Sequence, residues 1–217
     1  IDKLMKALII SGFLYNLSDN IIPFLDKQTD VYIHTWDTDS NQRWINKANR
    51  YKRYCNSFEI NVEKPIYDYK LYSYFYSTWK AVNLINVFDK YEKIIKFKPN
   101  LNIDNIKYKG DINRYFKKAK IQSRPLLDNV IKEECIFGSI YYQTLDERLF
   151  TGYSKAFEKA FKIEEKKFKS EMLNLNTNLQ KVYGADYEGS IFWKEWLESK
   201  KLFLILDTDL VIPDNHI

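Results

Sequence analysis

The chain has 217 residues, 45% of them hydrophobic and 17% aromatic, with a net charge of +5. This length suits one domain with a full core, and with a mean hydropathy of −0.47 no apolar run nears the roughly 18 residues a membrane-spanning helix needs. Two cysteines, Cys55 and Cys135, exclude a disulfide framework and a cysteine-rich zinc site, and two histidines, His34 and His216, exclude a multi-histidine metal centre.

In chain order, residues 6–11 (Lys-Ala-Leu-Ile-Ile-Ser) read as a buried strand that breaks at Gly12. Residues 16–27 read as a helix or helical turn, with Asn16 or Ser18 as N-cap and Pro23 in its first turns. Residues 30–36 read as a second strand, which breaks into Asp37. Two such strands separated by a helix-length segment make a βαβ unit and therefore a parallel sheet. Residues 40–53 read as an exposed helix rich in Asn, Arg and Lys, and residues 57–62 alternate as a third strand, closed by Lys64-Pro65. A long helix is predicted over 70–90, with Leu71, Phe75, Trp79, Val82 and Phe88 as its apolar stripe, widened by Tyr72, Tyr76 and Leu84. Residues 93–98 read as a fourth strand, stopped by Pro99-Asn100. A basic loop with a short helix follows over 101–124. Strands are expected at 136–142 and 148–150, the latter ended by Gly152. A single helix is expected over 153–172, with Glu158/Lys162 and Glu165/Lys169 as i,i+4 pairs. A Trp-rich helix over 190–199 and a strand over 203–206 complete the reading. The result is one α/β domain over 1–217, a mostly parallel, twisted sheet with helices on both faces. Met5 reads as a natural start, with residues 1–4 foreign to it. No signal peptide is visible, and the cysteine usage suits a reducing, cytoplasmic setting.

Ligands of parallel sheets bind outside the carboxyl ends of the strands, which directs attention to Ser11, Gly12 and Phe13 after the first strand and to Trp36 and Asp37 after the second. Glycine at 12 lets backbone approach a nucleotide closely, although neither a Rossmann fingerprint nor a P-loop is present. Asp37-Thr38-Asp39 and Asp207-Thr208-Asp209 are Asp-x-Asp triplets. On extended chain their carboxylates point the same way, as sharing a divalent cation (Mn2+ or Mg2+) and a diphosphate requires; turn formation and N-capping explain them equally simply. Lys96 and Lys98 share one face of the fourth strand opposite Phe97 and could neutralise a diphosphate, or line a solvated sheet edge. His34, within the second strand, reads as a hydrogen-bonded core residue. Segment 107–120 interleaves cations with aromatics, which suits a solvated loop, a lid over an anionic donor, or a single-strand nucleic-acid surface.

The order strand, Ser-Gly, helix, then Asp30-Val-Tyr-Ile-His-Thr-Trp-Asp37 resembles short polysaccharide-biosynthesis glycosyltransferases of bacteria and large viruses. So do Ser73–Ala81, Tyr91–Asn100 and Asp146-Glu-Arg-Leu-Phe-Thr-Gly-Tyr-Ser154. The resemblance implies a GT-A-like nucleotide-diphospho-sugar transferase fold, a nucleotide-sugar donor, and a glycan or lipid-linked glycan acceptor. If the source is viral, it implies the cytoplasm of a host cell. It places the donor near Ser11, Gly12, Phe13, Trp36, Asp37, Lys96, Lys98 and Asn100. It implies Asp146 as general base or hydrogen-bond anchor, with Glu195 as a second catalytic candidate, and Asp37 and Asp39 as metal ligands. Lysines stand at 96 and 98 where the pattern has arginines, and Asn100 stands where it has a carboxylate. These departures leave open a non-catalytic nucleotide- or glycan-binding module on the same fold. A single-stranded nucleic-acid binder is the third and least favoured reading.

Overall fold

The computed structural model describes residues 5–17, 19–66, 70–108, 132–141, 144–206 and 210–212. Strands β1 (Met5–Ser11), β2 (Thr29–Trp36), β3 (Ser57–Glu63) and β4 (Tyr91–Phe97) form a continuous parallel set. A short pair, β5 (Lys107–Tyr108) with β9 (Leu210–Val211), lies in a sheet of its own. Strands β6 (Cys135–Tyr141), β7 (Thr144–Gly152) and β8 (Phe203–Leu206) extend the main sheet to seven strands in the order β3-β2-β1-β4-β7-β6-β8. Within it β7 alone runs antiparallel to its neighbours β4 and β6, while β8 is parallel to β6.

The unbroken apolar run of β1 follows from cover on both faces. Ala7 and Ile9 join one core cluster, and Leu8 and Ile10 join the other. Edge strand β3 has no fully buried residue and largely alternates between exposed and half-buried positions. On the first face pack α2 (Lys70–Asn83), α3 (Ser154–Phe161), α4 (Glu165–Tyr183) and α5 (Gly189–Ser199), centred on aromatic rings. On the second face pack α1 (Asp39–Ala48) and the 3-10 turns Asp19–Phe24 and Asn49–Arg53. The expected architecture is therefore found: an α/β domain with a mostly parallel sheet between helical layers. Among the described residues no helix is long and apolar enough to cross a membrane.

Five elements differ from the sequence expectation. The helix expected over 16–27 is only the 3-10 turn Asp19–Phe24, with Pro23 inside it; Asn16 is no N-cap, since its φ of 60° is left-handed. The helix expected over 40–53 divides into α1 and a 3-10 turn. It is not exposed all round, because Asn41, Ile45, Ala48 and Tyr51 are buried. The helix expected over 70–90 stops at Asn83, whose amide donates to the carbonyls of Trp79 and Phe161, both at 2.8 Å; Phe88–Lys90 is a separate turn. The helix expected over 153–172 is two helices. Between them the chain turns at Lys162, and partners from α2 take up the freed groups: Asn83 binds the Phe161 carbonyl and Trp79 Nε1 donates to the Ile163 carbonyl at 3.2 Å. Lys162 Nζ donates to the Ile85 carbonyl at 3.2 Å in place of the expected pair with Glu158, whereas Glu165 and Lys169 do pair, at 2.6 Å. The strand expected over 148–150 is the nine-residue β7.

Candidate functional site

The carboxyl ends of β1 and β2 are pinned by a buried polar network. Ser11 Oγ and Thr78 Oγ1 are 2.8 Å apart, and the Gly12 amide donates to Ser77 Oγ at 2.6 Å. Thr35 Oγ1 donates to the Gly12 carbonyl at 2.8 Å. Asn41, buried on α1, closes the network: its amide donates to Thr35 Oγ1 and the Trp36 carbonyl, both at 2.7 Å, and its carbonyl accepts from Leu14 N at 2.9 Å. Such a satisfied network fixes the loop after β1 in one conformation. His34 is the hydrogen-bonded core residue expected, fully buried with Nδ1 2.8 Å from Ser77 Oγ.

Because β7 runs antiparallel to β4, its first residues lie where β4 ends. The Lys98 amide donates to the Arg148 carbonyl at 2.8 Å. Along this edge opens a groove of about 450 Å³. Ser11, Gly12, Phe13, Lys98 and Asn100 line it, so the structure gathers five of the sequence-derived candidates. Tyr15, Pro65, Ile66, Ser73, Tyr74 and Pro99 complete the wall.

Gly12 has φ of 96°, and a Cβ there would stand 3.2 Å from the Tyr74 ring. Both features demand glycine. Gly12→Ala is expected to lower stability by about 1–3 kcal/mol, read as a lower urea midpoint; an unchanged midpoint would contradict this account of the turn. Phe13 and Tyr15 stack with ring centroids 5.1 Å apart at the groove's rim, and Tyr15 Oη lies 2.6 Å from Ser40 Oγ. Lys98 Nζ sits 5.2 Å from the centre of the Tyr74 ring and 4.0 Å from Glu147 Oε1, with a third of its side chain exposed.

The other candidates lie elsewhere. Trp36 is buried, tilted beneath Phe13 at 6.5 Å and stacked on Tyr76. Lys96 shares the face of Lys98, with Phe97 buried opposite as expected, but its amine does not reach the groove wall. It is fully buried, donates to Tyr74 Oη and the Glu147 carbonyl, and lies 5.3 Å from the Trp193 ring. Burial pushes this amine well below the usual lysine range, with Glu147 opposing the shift. Asp146 is buried in a bidentate pair with Arg148, whose Nε and Nη2 donate at 3.0 and 2.8 Å. Arg148 Nη2 also donates to the Ile212 carbonyl at 3.1 Å. Glu195 lies on the solvent side of α5, 3.9 Å from Lys194 Nζ.

Asp37 and Asp39 are both exposed, and Asp39 is already the first residue of α1, so the two do not share one extended strand. Among the described residues no three His, Cys, Asp or Glu side chains gather as a cation site would require. Asp37 and Asp39 have no third such side chain beside them among the described residues. Asp207, Asp209 and the basic segment from 109 to 120 lie outside the described residues.

Sequence reasoning missed Tyr15, Pro65, Ile66, Ser73 and Tyr74. Pro65 and Ile66 were available from topology, since they follow the carboxyl end of β3 as Ser11 follows that of β1. Tyr74 carries a weaker signal, an aromatic one residue off the apolar stripe of α2.

No family model and no curated protein matches the sequence. Among solved structures the chain is similar to the apo form of the glycosyltransferase GlyE of Streptococcus pneumoniae, with a TM-score of 0.52 and 7% identity over 94% of this chain and 46% of that one. The fold is glycosyltransferase-like. The chain spans about half the length of GlyE. Mouse xyloside xylosyltransferase 1 in its apo form aligns more loosely, with a TM-score of 0.44 and 9% identity over 94% of this chain and 84% of that one.

Proposed function

We propose that the protein is a GT-A-like transferase of the polysaccharide-biosynthesis type. It moves a sugar from a nucleotide-diphosphate-sugar donor to a glycan or lipid-linked glycan acceptor. The observation that carries this reading is the convergence of Ser11, Gly12, Phe13, Lys98 and Asn100 on one groove at the carboxyl edge of the parallel strands. Gly12 leaves room for close approach of the donor, and the Phe13–Tyr15 stack gives a ring a flat apolar surface at the rim. As the bond from the anomeric carbon to the diphosphate breaks, negative charge develops on the leaving oxygen. Among the described residues Lys98 is the cation that lines the groove and can stabilise it. Lys96, buried and shifted toward neutrality, supports Tyr74 from behind in this scheme. Asp146 acts as the anchor of Arg148, since its carboxylate is already committed to that guanidinium.

The test is release of nucleoside diphosphate from a panel of nucleotide-sugars, with and without Mn2+ or Mg2+. Lys98→Ala is expected to slow release by about 10- to 100-fold. Full activity in that variant would remove Lys98 from the scheme.

One observation favours a second reading, a groove that binds a nucleotide or glycan without turnover. Among the described residues no carboxylate lines the wall, and none of them is an evident base for an acceptor hydroxyl. Saturable nucleotide binding with no diphosphate release in any donor and metal combination would establish it.

A further inference from the structure

Residues 40–54 carry five cations, Arg43, Lys47, Arg50, Lys52 and Arg53, and no carboxylate. The net charge of the whole chain is also +5, so the rest of the molecule is neutral on balance. Among the described residues these five cations lie together on α1 and the 3-10 turn after it; segment 107–120, with six cations and one carboxylate, carries as much net charge but lies mostly outside them. The apolar side of that unit, Ile45, Ala48 and Tyr51, is consumed by the core. Its outer side exposes Arg43, Arg50, Lys52 and Arg53. Among the described residues Lys47 has a carboxylate partner, Asp19 at 3.2 Å, and the other four have none within ion-pair distance. Tyr54, 44% exposed, and the partly buried Trp44 lie among them.

We propose that this surface docks the protein on an anionic lipid bilayer. A helix flank is convex and meets a flat surface along its length, where clustered Lys and Arg gain from the negative potential of acidic headgroups. Trp and Tyr are the aromatics that prefer the headgroup level. Single-stranded nucleic acid fits less well, because it needs bare aromatic faces on which bases stack. Here the Trp44 ring is already covered by the Arg43 guanidinium at 4.7 Å and by Lys47 Nζ at 5.5 Å, and the Phe58 ring by Lys52 Nζ at 5.2 Å. The inference stands apart from the transferase reading, since nothing in the groove enters it.

The experiment is co-sedimentation of the full chain with vesicles of phosphatidylcholine alone and of phosphatidylcholine mixed with phosphatidylserine, at about 0.1 M and about 0.5 M salt. The chain is expected to bind only the phosphatidylserine vesicles and to leave them at high salt. Arg43→Ala/Arg50→Ala/Arg53→Ala should weaken binding by about 100-fold, at roughly fivefold for each cation. The control Lys166→Ala/Lys167→Ala/Lys181→Ala on α4 should bind like the parent. Equal binding to both vesicles, equal loss in the control, or binding to a single-stranded oligonucleotide without binding to either vesicle would overturn the proposal. No nucleotide is present, so its failure leaves the transferase reading untouched.

Discussion

Phe75→Ala is expected to destabilise the protein by about 3–5 kcal/mol, the usual cost of removing a buried aromatic ring. Phe75 is fully buried on α2 and meets three other helices at once. Its ring stacks on Phe168 at 5.6 Å and meets Phe192, Trp193 and Trp196 edge-on at 4.8, 4.5 and 5.0 Å. Phe161 lies 6.0 Å away. Three of these rings belong to α5 and the others to α3 and α4, so truncation leaves a void that no single helix can close by shifting. Domains are stable by only about 5–15 kcal/mol in total, which makes the loss a large share. For a chain of this size it should lower the melting temperature by roughly 6–20 °C. A loss under about 1 kcal/mol would mean that α2 does not organise this layer.

The second large effect is acid destabilisation carried by His34. Burial lowers its pKa from 6.5 to about 4, with the nearby Glu63 carboxylate opposing the shift. Glu63 Oε2 is 3.5 Å from His34 Nε2, which has no hydrogen-bond partner. Unfolded, the imidazole takes a proton near its ordinary value of 6.5; folded, it resists until about 4. The unfolded state therefore binds more protons between these values, and stability falls as pH drops through that window. Above 6.5 both states are neutral and the group contributes no slope. The full loss is on the order of 3 kcal/mol. His34→Asn should flatten the slope between pH 6.5 and 4 while leaving carboxylate-driven unfolding below it. Urea midpoints at intervals of pH read this directly, and a wild-type protein with no slope in the window would contradict the burial of His34.

Most of the sheet was legible because fully covered parallel strands announce themselves as short apolar runs. The expected bounds of β1 and β2 fall within one residue of the observed ones, and the loop after β1's carboxyl end lines the groove. The helix ends were hidden for a definite reason. The apolar stripe runs on through Lys162 and past Asn83, and the chain turns there because Trp79 and Asn83 capture carbonyls that are distant in sequence. Burial misled the reading of single site residues. Lys96 and Lys98 look equivalent two apart on a strand, yet Lys96 lies within β4 beneath Tyr74 and Trp193, whereas β4 ends at Phe97 and Lys98 falls past it at the groove. Asp146 looks like an available acid until Arg148, two residues on, folds back and claims both of its oxygens. Asn41, which fixes the loop after β1, is an unremarkable asparagine in a polar segment, and nothing in its neighbours marks it.

The central claim is that the groove beside Gly12 and Lys98 holds a nucleoside diphosphate. The most direct measurement is the melting temperature of the wild-type protein and of Lys98→Ala across a panel of nucleoside diphosphates and the matching free nucleosides. A diphosphate at a hundred times its dissociation constant adds about 2.7 kcal/mol. The wild type should therefore melt roughly 5–10 °C higher with one diphosphate, less with its nucleoside, and the gain should shrink in Lys98→Ala. No shift with any diphosphate, or an equal shift in Lys98→Ala, would contradict the account.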